Sequence, residues 1–75
     1  MAEQTKEMAD ALARYADAYR RYQLSKDVQP YNLEVAVQYA TLDKANMVKH
    51  MSEDDAVYVV NDEAEYLLEA LKASV

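Results

Sequence analysis

Hydrophobic residues recur along this chain at helical spacing. Met8, Leu12, Tyr15, Tyr19 and Tyr22 stand alternately four and three residues apart, which puts them on one stripe of a helix. Ala11 and Ala18 flank the stripe, while Lys6, Asp10, Arg14, Asp17 and Arg21 fall off it towards water. Glu3 with Lys6, Asp10 with Arg14, and Asp17 with Arg20 or Arg21 have the spacing of ion pairs between adjacent turns, worth about 0.2–0.5 kcal/mol each. The pattern predicts a helix over about 3–24.

The periodicity stops in Ser25-Lys26-Asp27-Val28-Gln29-Pro30-Tyr31. Proline cannot continue a helix and pushes the residue before it towards an extended conformation, so Pro30 predicts a break. Asn32 is the candidate cap for a second helix over about 33–49. That segment is apolar on two sides. Leu33, Ala36, Val37, Ala40, Met47, Val48 and Met51 form one stripe, and Val35, Tyr39 and Leu42 form another across from it. A helix apolar on two sides is expected between neighbours, so this is the predicted central helix. Lys44 falls in the first stripe, where its stem is expected to pack and its ammonium to reach solvent.

Ser52-Glu53-Asp54-Asp55 reads as a capped, acidic helix start. Val57, Val60, Ala64, Leu67, Leu68, Leu71 and Val75 follow as one stripe, which predicts a third helix over about 53–73. Val59 and Val60 are weak helix formers, and Asn61 or Asp62 could cap afresh, so a kink near Asn61 is the alternative to one continuous helix. The expected fold is all-α: a single domain over 1–75, arranged as a small up-down-up three-helix bundle.

Composition narrows the functional classes. The 75 residues include no glycine, one proline and no cysteine. Without glycine, tight hairpins and phosphate-cradling loops are disfavoured, and without cysteine there are no disulfides or thiolate metal sites. No apolar run approaches the ~20 residues that span a bilayer, and no secretory leader is legible, so the expected location is the cytoplasm. Catalytic chemistry finds little to work with. His50 is the one histidine, and its four-residue spacing to Asp54 is a weak metal signal beside a favourable place at a helix end. Ser52 lies two residues from His50, which is not a helical-neighbour spacing. No catalytic residue, metal site or cofactor is predicted, and the chain is not expected to be an enzyme.

Charge is more informative. Seven basic and seven acidic residues precede Glu53; from Glu53 onwards one basic residue stands against seven acidic ones. The third helix therefore carries the entire net charge of −6. Asp55, Tyr58, Asp62, Glu65 and Glu69 fall on one of its faces, with Tyr66 in a lesser apolar strip beside it alongside Val59 and Ala70. Such a run is often a solvated face, but its segregation onto one helix fits docking on a basic partner protein. It opposes nucleic-acid binding, since phosphates would be repelled. All seven aromatic residues are tyrosine, a residue suited to half-wet interfaces.

In size, acidity and helicity the chain resembles small regulators of phages and mobile elements, including those whose charge mimics DNA; the resemblance is of type and is carried by no motif. The expected function is protein binding, as an inhibitor or adaptor, through Asp55, Tyr58, Asp62, Glu65, Tyr66 and Glu69. The alternative is a structural homo-oligomer assembled through Tyr15, Tyr19 and Tyr22 or through Val35, Tyr39 and Leu42.

Overall fold

A computed structural model describes residues 5–26 and 30–73, without the side chains of residues 30 and 31. It contains three helices: α1 (Lys6–Leu24), α2 (Pro30–Val48) and α3 (Glu53–Ala73). Cross-helix contacts fix their directions. Thr5 meets Glu53 and Arg14 meets Asn61, so α1 and α3 run the same way. Arg20 meets Glu34 and Tyr15 lies beneath Lys44, so α2 runs opposite to both. The result is the up-down-up bundle that the periodicity predicts.

Local chemistry sets the helix ends. The Thr5 hydroxyl accepts from the Met8 amide at 3.2 Å, capping α1, and donates to the Glu53 carboxylate at 2.6 Å. One side chain thus joins the starts of α1 and α3. Residues 1–4 lie outside the described part, and with them the predicted start at Glu3 and the Glu3–Lys6 pair. The Ser25 hydroxyl donates to the Tyr22 carbonyl at 2.6 Å where α1 ends. Ser52 caps α3 as predicted, its hydroxyl accepting from the Asp55 amide at 3.3 Å.

Four sequence expectations are corrected. Helix α2 starts at Pro30, not after a cap at Asn32. Proline's fixed φ suits a first helical residue, where its missing N–H would have had no partner, so Pro30 opens the helix and Asn32 lies inside the first turn. Of the break predicted over 25–31, residues 25 and 26 form a turn, 30 and 31 are already helical, and 27–29 lie outside the described residues. Second, the helix against which both others mainly pack is α1, not α2. Third, Met47 is 61% exposed and Met51 39%, so neither belongs to the buried face of α2. Fourth, Arg14 donates to Asn61 at 2.9 Å instead of pairing with Asp10, which takes Lys6 at 3.1 Å. The same bond explains why α3 runs unbroken through Asn61: its side-chain oxygen serves a neighbouring helix and does not cap a new one.

The core is built mainly of small residues. Ala11, Leu12, Tyr15 and Ala18 of α1 form one buried cluster with Ala56, Val60 and Ala64 of α3 and Val48 at the end of α2. Small side chains bring backbones close, so dispersion contacts are dense although each residue contributes little apolar area. Leu33 and Val37 bury the first half of α2.

Lys44 departs most from expectation. It is the one buried charged residue in the described part. Its side chain is only 11% exposed: the ammonium donates to the Glu63 carboxylate of α3 at 2.9 Å and sits 5.5 Å from the centre of the Tyr15 ring. Lys44 therefore joins all three helices. With Glu63 half-exposed, the pair's value lies more in fixing the position of α2 than in raw stability.

Two outcomes follow for stability. Leu12→Ala should cost about 2–5 kcal/mol, a large part of the roughly 4–11 kcal/mol available to a domain of this length, and is expected to show as a collapsed urea midpoint. The Tyr15 hydroxyl has its pKa raised above the ordinary 10.0, first by burial and next by the Glu63 carboxylate. A raised folded-state pKa gives stability that is whole below pH 10 and lost as pH rises through the folded value. Thermal melts above pH 10 should fall less steeply for Tyr15→Phe than for the native chain.

An unpartnered acidic face on α3

The buried side of α3 is set by Ala56, Val60 and Ala64, which recur every four residues. At 100° per residue, Tyr58, Asp62 and Glu69 project from the opposite side, with Asp55 and Tyr66 to one side of them and Glu65 to the other. The structure brings all six predicted docking residues to this one exposed face. Tyr58 is 71% exposed and Tyr66 70%, while Val59 and Ala70 are half-buried between the tyrosines and the core.

Among the described residues, three of the five carboxylates of α1 and α2 are ion-paired, Glu7 and Asp43 being the exceptions. On α1 and α2, Asp10 pairs with Lys6, Asp17 with Arg20 and Arg21, and Glu34 with Arg20. The Glu34 pair is bidentate, at 2.8 and 3.2 Å; the Arg20 guanidinium holds the Glu34 carboxyl below its ordinary pKa, and the Arg20 pKa is raised in return. On α3 the Asp55, Asp62 and Glu65 carboxylates make no ion pair among the described residues, and Glu69 has only Lys72 at 3.9 Å. Unpaired carboxylates within a few turns of one another sum to a negative field that local cations do not cancel.

The three tyrosines of α1 are placed differently. Tyr15 is buried, and Tyr19 and Tyr22 are half-buried. The Tyr15 and Tyr19 rings lie 6.1 Å apart at 36°, and the Lys26 ammonium lies 4.5 Å over the Tyr22 ring. This stripe is occupied within the bundle. Val35, Tyr39 and Leu42 are exposed on the side of α2 away from it.

An open groove of about 370 Å³ between α1 and α3 borders the acidic face, lined by Arg14, Arg21, Asn61, Glu65 and Leu68 among others. Sequence reasoning did not find it, because its walls come from two helices 40 or more residues apart. Arg21 is committed to Asp17 and Arg14 to Asn61. His50 is exposed, and no group of three or more possible metal ligands occurs among the described residues. No helix there is long and apolar enough to cross a membrane. Compared with protein-family models, curated proteins and solved structures, the chain matches none.

Because the six side chains lie outside the core, their loss should leave the fold intact. Tyr58→Ser, Tyr66→Ser and Asp62→Asn are each expected to change unfolding free energy by less than about 0.5 kcal/mol in denaturant titration.

Proposed function

We propose that this chain is a protein-binding module that docks on a basic partner through the outer face of α3, acting as an inhibitor or adaptor. The observation that carries the reading is two tyrosines, each about 70% exposed, set among carboxylates of which, among the described residues, only Glu69 has a cation, Lys72 at 3.9 Å. A tyrosine ring is large, has few rotamers to lose, and combines an apolar body with a hydroxyl that a partner can satisfy. The surrounding carboxylates would draw a basic surface towards the face and orient it, and the rings would then supply the desolvated contact area. The likeness of type to small mobile-element regulators agrees with this reading.

Binding to nucleic acid has no comparable support. The basic residues of α1 are largely engaged with Asp10, Asp17, Glu34 and Asn61, and the free charge is negative. A catalytic reading would have Lys44 as its one buried charged group among the described residues, and Glu63 already engages it.

Affinity capture from a cell lysate tests the proposal, using the native chain, a bait with Asp62, Glu65 and Glu69 reversed to lysine, and a Tyr58→Ala/Tyr66→Ala bait. The expected outcome is one basic protein retained by the native bait at low salt, weakened by added salt, and lost from both variants. Each tyrosine should contribute on the order of 2 kcal/mol to that affinity. Capture indifferent to salt and to both sets of substitutions would reject the proposal.

A further inference from the structure

The outer face of α2 carries three exposed apolar side chains and has no neighbour among the described residues of the bundle. Tyr39 is 65% exposed and Leu42 59%, and Val35, Asn46 and Lys49 are exposed with them. Val35, Tyr39, Leu42, Asn46 and Lys49 stand four, three, four and three residues apart, the repeat of a helix seam that meets one other helix. Leu33, Val37, Lys44 and Val48, on the opposite side, are buried in the bundle. The seam is thus directed outward along most of α2.

We propose that a second copy of this chain covers this seam, with the two α2 helices antiparallel. Charge selects the occupant. The net charge of −6 resides on α3, whereas α2 and the turn that follows it have Glu34 and Asp43 balanced by Lys44 and Lys49. Two copies repel through their acidic faces, and the neutral seam is where they can approach with least opposition. A basic partner would find one carboxylate beside it, Asp43, and a lysine within it. Charge also selects the direction. Parallel pairing would set Asp43 against Asp43 and Lys49 against Lys49, with the helix dipoles aligned. Antiparallel pairing puts Tyr39 of each copy against Leu42 of the other and Val35 against Asn46. The two Lys49 then stand about 25 Å apart along the axis, from the 1.5 Å rise per residue. Asn46 is a polar residue at a seam position, a device that fixes register at some cost in stability.

The seam is only about 20 Å long by the same rise. The contact therefore belongs to the small, transient class of interface, with self-association expected in the range of tens of micromolar to millimolar. This proposal does not depend on the acidic face, because different residues on a different helix carry it.

Sedimentation velocity over a dilution series, together with disulfide trapping, tests it. The native average mass should rise from 8.6 kDa towards twice that value with concentration. Leu42→Glu, outside the core, should weaken association at least about tenfold while keeping the native helical circular dichroism. Reversing Asp62, Glu65 and Glu69 to lysine should not weaken it. The chain has no cysteine, so Val35→Cys and Asn46→Cys chains can be mixed in a thiol redox buffer, where the mixed disulfide should exceed the statistical half of all dimers. A single mass at every concentration, a dimer indifferent to Leu42→Glu, or a statistical or like-with-like disulfide pattern would each overturn the proposal.

Discussion

Two helices can lie close together only where both present small side chains, and that constraint organises this molecule. Ala11 and Ala18 on α1 and Ala56 and Ala64 on α3 are nearly or wholly buried in one cluster, with Val60 fully enclosed among them. The chain has no Phe and no Trp, and of its Tyr, Leu and Met side chains only Leu12, Tyr15 and Leu33 are buried among the described residues. It reaches interior density by bringing backbones together. The close α1–α3 seam uses all four of the buried alanines among the described residues, and α2 attaches to the outside of that pair.

The attachment of α2 follows from what remains. Leu33, Val37 and Val48 give it a short apolar footing, and Lys44 crosses the junction to Glu63 over the Tyr15 ring. A lysine can do this because its stem is apolar and its charge lies at the tip, so one residue packs against α1 and bonds to α3. One side of α2 is thereby satisfied and the other left open. The two outward features of the protein, the acidic face of α3 and the apolar seam of α2, are the backs of the two helices that pack on α1.

The tyrosines divide along the same lines. Tyr15 lies against Lys44 and Tyr19, and burial, followed by the Glu63 carboxylate, makes its hydroxyl harder to ionise. Tyr39, Tyr58 and Tyr66 stand on the backs of α2 and α3 with most of their rings in water. A single residue type thus serves as core on α1 and as exposed surface on the other helices, and only position in the bundle separates the two uses.

The sequence by itself determined three helices, their approximate extents, the Ser52 cap, the acidic side of α3 and the second apolar side of α2. All of these follow from short-range periodicity and backbone capping, which act within a few residues. Tertiary structure decided what depends on residues far apart in the chain: that α1 and not α2 is central, that Lys44 is buried against Glu63, and that Arg14 holds Asn61 inside a continuous α3. Pro30 lies between the two cases, since its fixed φ is compatible both with breaking a helix and with opening one. Which apolar side of a two-sided helix is buried depends on competition among all three helices for the same contacts. Spacing along a single helix carries no information about that competition.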